Sequence, residues 1–192
     1  PMLRGVVAMG DSLPPLKSET NGRLRRGPAF GFKGGAAPGK GDWPTYRRDP
    51  QRSAAAPDTV PADAGLLWKS PLGQDTPPLW SLEWGRRGGG QITAPTIADG
   101  RVFVARSQAH EVVALDAAAG QPAWRFSTGA RVDLPPTIHG GLCLFGSADG
   151  WVYCLKADDG KEVWRFRAAP AARSVVTFGQ LESAWPVRGS VL

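Results

Sequence analysis

Two cysteines are the first residues in this sequence whose type and spacing could support chemistry. Cys143 and Cys154 lie on either side of the four-residue segment 147–150, which is predicted to be a hairpin loop. If all four residues belong to the loop, Gly146 faces Trp151, and the two cysteines face each other across neighbouring strands, where a disulfide fits. A register change of one residue abolishes this pairing and leaves two small buried side chains. Two ligands do not make a zinc site, so the disulfide and the free thiols both remain open.

Histidines and aspartates are the other candidates for catalysis or metal binding. Both histidines fall in predicted turns, where exposed side chains are expected, and the aspartates near glycine occupy predicted hairpins, where Asp bonds the local backbone. These residues are His110, His139, Asp99, Asp149, Asp158 and Asp159. A Ca²⁺ site needs about six or more converging oxygens, and no local cluster supplies them. The G-x-S-x-G, H-E-x-x-H and G-x-x-x-x-G-K-[ST] motifs are also absent from the sequence, so no catalytic residue is assigned.

An internal repeat of about 40 residues indicates which elements position these side chains. The segment 94–100 recurs as 135–141, the segment 112–115 as 152–155, and the segment 124–126 as 164–166. Within each repeat, apolar runs of about four to six residues alternate with glycine-containing turns. Helical solenoid repeats need apolar residues at helical spacing over about 12 or more positions, and they are therefore excluded.

Four short strands are predicted in the second repeat, at 136–138, 142–145, 151–155 and 161–166. Four strands in about 40 residues make one blade of a β-propeller, and a closed propeller needs about four blades or more. We therefore predict an all-β fold, a β-propeller of four-stranded antiparallel blades. We expect it to be incomplete in this chain, as a fragment of a larger ring.

The expected domain boundaries follow from the repeat. Residues 1–41 are rich in Gly and Arg, have little apolar periodicity and are predicted to be an irregular linker. The partial propeller at 42–192 is divided into a degenerate blade with a long loop at 42–93, a blade at 94–133, a blade with an extended loop at 134–185 and the start of the next blade at 186–192. In the degenerate blade, 66–69 is predicted to be the last strand, and 70–91 is a long insertion and a candidate functional or interdomain loop.

Charge and hydropathy narrow the classes of partner. The formal net charge is +6, and the arginines that carry it are scattered along the chain, which favours solubility over a specific nucleic-acid site. No run of about 18 apolar residues occurs, so no transmembrane segment is predicted. The 25 glycines and 18 prolines favour short strands joined by turns.

Two segments carry the pattern of a known repeat family. Residues 114–124, A-L-D-A-A-A-G-Q-P-A-W, and residues 157–164, A-D-D-G-K-E-V-W, resemble the A-L-D-x-x-T-G-K-x-x-W repeat of the PQQ-like (pyrroloquinoline-quinone, quinoprotein alcohol dehydrogenase-like) β-propellers. The segment 42–50 is similar to the W-P-x-F-R segment found at the beginning of bacterial propellers in that superfamily. Lys156 stands where the repeat has its Asp, a departure that ordinary repeat drift explains. The resemblance covers residues 42–192.

The resemblance implies a structural role for three tryptophans. In the family, a Trp of the outer strand docks one blade on the next, which implies blade docking by Trp124 and Trp164, and by Trp68 in the degenerate blade. Dehydrogenases of the family hold PQQ against a Trp, in many members beneath a disulfide between adjacent cysteines, with a Glu/Asn/Asp calcium site and an Asp base. This sequence has no adjacent cysteine pair. No cofactor or metal is evident, and the residues that would bind PQQ are unknown.

Two functions remain open at this point. The leading interpretation is a non-catalytic scaffold or binding module, as in the family's outer-membrane assembly lipoproteins, with a protein, peptide or glycan partner and the remaining blades of the parent chain. The alternative is a PQQ- and calcium-dependent quinoprotein dehydrogenase whose cofactor ligands lie outside this fragment. A periplasmic or otherwise extracytoplasmic location is expected in either case.

Overall fold

The computed structural model describes residues 21–72, 92–177 and 179–191, and in these ranges the regular structure is almost entirely β. The strands are β1 (Leu24–Arg26), β2 (Thr96–Ala98), β3 (Arg101–Arg106), β4 (Glu111–Asp116), β5 (Pro122–Ser127), β6 (Thr137–His139), β7 (Leu142–Gly146), β8 (Trp151–Lys156), β9 (Glu162–Arg167), β10 (Ser174–Thr177) and β11 (Gln180–Ser183). One short 3₁₀ turn, Ser107–Ala109, joins β3 to β4. In the described part of the chain, no helix is long and apolar enough to cross a bilayer.

The strands form two antiparallel blades and a separate hairpin. The first blade has the order β2-β3-β4-β5, and the second has the order β6-β7-β8-β9 with β1 added at its outer edge. The separate hairpin consists of β10 and β11. The predicted four-stranded repeat and the all-β propeller class are therefore confirmed.

The turn between the third and fourth strands of a blade explains why the repeat requires Asp and Gly. In the first blade, the Oδ1 of Asp116 accepts hydrogen bonds from the backbone N–H groups of Ala118 and Ala119, at 2.9 and 2.8 Å. Gly120 then takes a φ of +69°, which glycine adopts without the penalty that a Cβ brings. The turn folds the chain back at once, so the fourth strand pairs with the third.

The main hydrophobic core lies between the two blades. Strand alternation directs Phe103 and Trp124 from the first blade toward Phe145 and Tyr153 of the second, and these side chains belong to one buried cluster. Phe126 packs edge-on against both Phe145 and Tyr153, with ring centroids 6.3 and 5.6 Å apart. Burial of aromatic rings at this interface fixes the angle between the blades.

A tryptophan of the first blade reaches across this interface to the turn of the second. The indole Nε1 of Trp124 donates a hydrogen bond to the backbone oxygen of Ala157, at 2.9 Å. Its ring lies so close to Gly160 that a Cβ at that position would come within 2.7 Å of the indole Cδ2. Glycine at the end of the turn is therefore required for two reasons. Its φ is +71°, and the indole occupies the space that a Cβ would need.

Trp68 makes the same contact with the first blade. Its Nε1 donates to the backbone oxygen of Ala117, at 2.8 Å, and a Cβ on Gly120 would lie 2.5 Å from its ring. Trp164 belongs to β9, where its partner in the register is Arg26 of β1. The docking of Trp164 on a further blade stays a prediction.

The flanking segments differ from the sequence-based boundaries. Within the predicted linker 1–41, Leu24–Arg26 forms a strand on β9, because the outer edge of β9 offers unpaired backbone groups that an added strand can bond. All three residues of this strand are exposed, so no apolar alternation marked it. The predicted strand at 66–69 is absent from the described sheets: Leu66 and Leu67 are exposed, and only Trp68 is packed.

The C-terminal region contains structure that the sequence-based boundaries did not indicate. The predicted extended loop after the second blade contains the β10–β11 hairpin. No strand is assigned within the described residues 186–191, where the start of a further blade was expected. Most of the predicted insertion 70–91 lies outside the described residues.

The cysteine register is wrong by one residue. β7 and β8 pair Cys143 with Leu155 and Leu144 with Cys154, so the two sulfurs point to opposite faces of the sheet. Both cysteines are free and buried. The cross-strand disulfide is therefore excluded in this structure, and the alternative of two small buried side chains describes the observed state.

The physical reason for the shift is the length of the hairpin loop. The backbone N–H of Ser147 donates to the oxygen of Trp151, at 3.0 Å, so Ser147 still belongs to the ladder. Only three residues then form the loop, ending at Gly150 with a φ of +87°. A three-residue loop with a left-handed glycine at its end is a common hairpin connection.

The docking contact predicts different effects for two glycines with the same backbone conformation. Gly160→Ala should destabilise the protein by about 3 kcal/mol, because the left-handed φ costs about 1–2 kcal/mol and the clash with Trp124 adds an overpacking term. Gly100 has a φ of +69° and no atom within 4 Å of a Cβ, so Gly100→Ala should lose only the backbone part. Denaturant unfolding of both variants measures the difference, and equal losses would contradict the docking role of Gly160.

The cysteine assignment predicts the reactivity of the thiols. Burial raises the pKa of both, that of Cys154 to about 12, so neither should react with Ellman's reagent in the native protein at pH 8. In denaturant without reductant, two thiols per chain should react. The absence of reactive thiols after unfolding would instead indicate a disulfide.

Candidate functional site

Four connections of the two blades lie at one end of the sheets, which we call the loop face. Neighbouring strands are antiparallel, so the β3–β4 and β7–β8 turns lie at the same end as the connections that leave β5 and β9. The loop face comprises residues 107–110, 128–136, 147–150 and 168–187, with residue 178 outside the described part of the chain. Loops gathered on a rigid sheet are a common location for binding residues.

Two serines, one in the β3–β4 connection and one in the β7–β8 connection, fix the connection between the blades. The Oγ of Ser107 donates to the backbone oxygen of Val132 at 2.8 Å, and the Oγ of Ser147 donates to that of Ala130 at 3.1 Å. Both serines are buried, so these bonds satisfy carbonyl groups that water cannot reach. The backbone at 130–132 is held from both sides, which sets the direction of the Arg131 side chain between its two neighbours.

Arg131 forms a buried ion pair with Glu182 of the β10–β11 hairpin. The guanidinium Nε donates to Oε1 of Glu182 at 2.7 Å, and the two residues are only 3% and 2% exposed. The other carboxylate oxygen, Oε2, accepts a hydrogen bond from Nη2 of Arg188 at 3.1 Å. One carboxylate therefore meets two guanidiniums. Separation of Arg131 from Glu182 is unfavourable, because each would lose its shortest ion pair while still buried, and the Asp133 carboxylate lies farther from Arg131, 3.9 Å from its Nη1.

A second set of polar contacts holds the hairpin to the first blade. The Nε2 of His110 lies 3.2 Å from the Oε1 of Gln180. The Nε2 of Gln180 donates a hydrogen bond to the Oε1 of Gln108, also at 3.2 Å. Nearby, burial raises the pKa of the Asp133 carboxyl above its ordinary value, although the positive charge of Arg131 acts in the opposite direction. The side chains of Gln180 and Glu182, which alternate along β11, therefore contact the β3–β4 loop and the connection between the blades.

One cross-strand pair on the opposite face of the hairpin is apolar and open to solvent. Val176 and Leu181 are directly paired across the hairpin and are 76% and 62% exposed. They alternate with Gln180 and Glu182, which point toward the loop face. Gln180 and Glu182 on the inward face thus hold the apolar pair at the surface. This arrangement is suited to contact with another macromolecule.

The segment after the predicted linker lies along the inner edges of both blades. Trp43 pairs with Ile97 of β2, and the backbone oxygen of Pro44 accepts a hydrogen bond from Ile138 of β6, at 2.7 Å. Between this segment and β6 is a cavity of about 380 Å³. Its lining includes basic and acidic side chains, and among these Arg48 donates to two backbone oxygens and therefore serves the local chain.

The histidines and aspartates chosen from the sequence occupy separate places. His110 lies on the loop face, whereas His139 is in β6 rather than in a turn and lines the inner-edge cavity. Asp149 lies in its predicted turn, where its carboxylate accepts hydrogen bonds from the Tyr153 hydroxyl at 2.6 Å and from the backbone of Gly129 at 2.9 Å. The structure does not combine these residues into one site.

Sequence reasoning missed the two residues that organise the loop face. Arg131 and Glu182 are 51 residues apart in the chain, and neither belongs to the repeated motif. A local signal for the hairpin existed, because the run 174–177 is rich in β-branched residues and Gly179 follows it. That signal predicts the strands but not the partner of Glu182.

The described residues do not fit a PQQ and calcium centre. In the ranges covered by the structure, no group of three or more His, Cys, Asp or Glu side chains is arranged to hold a metal ion. The two cysteines lie in different strands and point to opposite faces of the sheet. Glu182, the most buried of the described carboxylates, is already bonded by two guanidiniums.

The four-stranded blades, their repeat and the tryptophan contacts between them define a β-propeller protein of the PQQ-like repeat class. A family model described as outer membrane protein assembly factor BamB matches residues 61–186, which is well over half of the chain. The chain belongs to this family.

Known proteins of similar sequence include bacterial dehydrogenases. The chain is 29% identical over 102 residues to quinoprotein alcohol dehydrogenase PedH of Pseudomonas putida, an alignment that covers 48% of this chain and 17% of PedH. The quinoprotein ethanol dehydrogenase of Pseudomonas aeruginosa is also 29% identical over 102 residues, which cover 48% of this chain and 16% of that protein.

A solved structure supports the fold assignment. The quinohemoprotein alcohol dehydrogenase of Pseudomonas putida matches with a TM-score of 0.53 and 19% identity, over 69% of this chain and 20% of that one. At this identity, the match concerns the fold alone. The chain thus spans about a fifth or less of the length of these relatives.

The buried ion pair predicts a sharp difference between two substitutions. Glu182→Gln should destabilise the protein by about 3 kcal/mol, because it leaves Arg131 as a buried charge without a counter-charge at Glu182. Arg188→Ala removes a half-exposed partner of the same carboxylate and should cost less than about 1 kcal/mol.

Denaturant unfolding gives these free energies, and hydrogen exchange at the Ser183 amide, which bonds to Ala148, reports whether the hairpin detaches locally. A Glu182→Gln variant within about 1 kcal/mol of the parent, with an equally protected Ser183 amide, would contradict the role of this pair.

Proposed function

We propose that this chain is part of a non-catalytic propeller scaffold that binds a protein partner through the loop face. The observation that carries the proposal is the β10–β11 hairpin, which is fixed by a buried ion pair and presents Val176 and Leu181 to solvent. A fixed apolar pair with a polar surround suits protein contact, because the surface needs little ordering when the partner binds. The family description, an outer membrane assembly factor, is consistent with a protein partner.

The competing function is a PQQ- and calcium-dependent dehydrogenase. Its support comes from the names of the similar bacterial proteins, which are quinoprotein dehydrogenases. In that case the cofactor ligands would lie in blades beyond the described residues, and the blades in hand would supply the rigid frame. Both functions place the parent protein outside the cytoplasm, and we propose a periplasmic or otherwise extracytoplasmic location on the basis of the family description.

Site-directed photo-crosslinking tests the binding proposal in cells that produce the full-length protein. A benzoylphenylalanine at position 176 should form a discrete adduct with another protein, because this position projects from the fixed hairpin. The matched control is position 60, where Val60 is 78% exposed and Val176 is 76% exposed. Leu181→Ser should lower the yield from position 176 several-fold, since it removes the paired apolar neighbour. The same adducts from both positions, or no protein adduct at 176, would count against the proposal.

Reconstitution tests the competing function separately. The full-length protein is incubated with PQQ and Ca²⁺, and dye-linked oxidation of alcohols and sugars is measured. We expect no turnover above the background without protein. Turnover above that background would overturn the non-catalytic assignment, whatever the crosslinking shows.

A further inference from the structure

The backbone of the β10–β11 hairpin presents hydrogen-bonding groups along the outer edge of β10. The amide of Ser183 donates to the backbone oxygen of Ala148, so it points away from β10 although Ser183 is paired with Ser174. In an antiparallel pair of strands, backbone groups that point away from the partner strand recur at every second position. The outward positions are therefore Ser174 and Val176 on β10, and Leu181 and Ser183 on β11.

The two edges of this hairpin have different surroundings. The edge of β11 faces the second blade, because Ser183 is bonded to Ala148 in the β7–β8 turn. No described strand pairs with the outer edge of β10, and the residues Ser174–Val176 are all exposed. β10 is therefore the accessible edge, and an accessible edge is a template for pairing with another chain.

The side chains beside this edge are apolar. Val176 and Leu181 form a pair whose backbone groups point outward, and in such pairs the side chains of the two strands lie closest together. Val175 points to the other face of the hairpin and is also 39% exposed. A strand added to β10 would place every second side chain beside Val176 and would extend the apolar pair into a row of three.

A two-stranded hairpin benefits from a third strand. Two strands alone are marginally stable in water, whereas three strands with an apolar face can be stable. In this protein, the contacts of Glu182 with Arg131 and Arg188 hold the hairpin in place. The edge is therefore formed before a partner arrives, and little ordering of this chain remains to oppose binding.

We propose that the outer edge of β10 binds an extended segment of a partner protein by strand addition, and that this segment has an apolar side chain at every second position. Its backbone would pair with Ser174 and Val176, and its apolar side chains would lie beside Val176 and Leu181. Lipids and polysaccharides lack the alternating N–H and C=O groups that this pairing needs. The inference rests on the proposed function, because it specifies how the partner of the loop face is recognised.

Fluorescence anisotropy measures the binding of a labelled peptide to the purified full-length protein. The peptide has nine residues in which Val and Thr alternate, between terminal lysines that keep it soluble. Its control peptide has the same composition with the valines grouped together. We expect the alternating peptide to bind at least about tenfold more tightly, because only alternation places all the valines on one face of an extended chain.

Two proline substitutions distinguish the edges of the hairpin. Val176→Pro removes an amide that points outward from β10, and Leu181→Pro removes the corresponding amide of β11. Neither breaks a hydrogen bond between the two strands, because both amides point away from the partner strand. Val176→Pro should weaken peptide binding about tenfold or more, as expected when a main-chain hydrogen bond is lost. The matched control, Leu181→Pro, should weaken it clearly less.

Hydrogen exchange checks the hairpin in each variant and locates the bound peptide. A protected Ser183 amide, which bonds to Ala148, shows that the hairpin is still in place. If Val176→Pro loses this protection, Ser174→Pro replaces it, because proline is tolerated at the first residue of a strand. In the unsubstituted protein, saturating peptide should slow exchange of the Val176 amide about tenfold or more and leave that of Leu181 unchanged.

Four results would overturn the proposal. They are equal binding of the two peptides, a proline variant of β10 that keeps both the hairpin and the parent affinity, slowed exchange at Leu181 instead of Val176, and slowed exchange at Val176 on raising the protein concentration without peptide. The last result would indicate a second copy of this chain at the edge.

The proposed function can fail separately from strand addition. A protein adduct at position 176 in cells, without peptide binding, would overturn strand addition alone. Peptide binding without a protein adduct in cells would overturn the proposed function alone.

Discussion

The contact on which the rest of this structure depends is an indole placed on a left-handed glycine of the neighbouring blade. Trp124 and Trp68 make it with Gly160 and Gly120, and each adds one hydrogen bond from Nε1 to a backbone oxygen. The contact combines burial of a large ring with a directional bond, so it fixes both the distance and the rotation between blades. A glycine is necessary because the turn needs positive φ and the ring occupies the place of a Cβ.

The loop face follows from that alignment of the blades. Ser107 and Ser147 belong to the β3–β4 and β7–β8 connections, and only blades in a fixed relation can present both hydroxyls to one connection. That connection then directs Arg131 toward Glu182. The tryptophan contact between the blades thereby determines the position of the Arg131–Glu182 pair on the loop face. The strands and the short connection between the blades transmit this constraint.

Elements that recur in both repeats could be predicted from the sequence. Contacts that occur only once, between segments distant in the chain, could not. The strands at 142–146 and 151–156 were predicted within one residue, because glycine turns and apolar alternation bound them. The cysteine register failed because the loop has three residues, which depends on one hydrogen bond of Ser147. β1 carries no apolar alternation, and the pairing of Arg131 with Glu182 joins segments that nothing local relates. The tryptophan contacts came from a family pattern and not from periodicity.

The differences between the two blades say more about function than their common features. What the blades share, such as the Asp-Gly turn and the docking tryptophan, is explained by the needs of the fold. Glu111 and Trp151 occupy the same position of the repeat, so the fold accepts either an acid or an indole there. The same reasoning applies to the β10–β11 hairpin, which follows the second blade only.

The ion pair between Arg131 and Glu182 fixes the position of that hairpin more than it adds to the stability of the protein. Removing two charges from water costs free energy that their attraction does not always recover, and apolar residues of similar size often stabilise a protein equally well. An apolar contact, however, would tolerate small shifts of the hairpin, whereas a carboxylate held between Arg131 and Arg188 has one satisfactory geometry. With Glu182 fixed, strand alternation fixes the outward direction of Leu181 and of its partner Val176. The burial of a charged pair is therefore best understood as the means by which an exposed apolar pair is kept in one place.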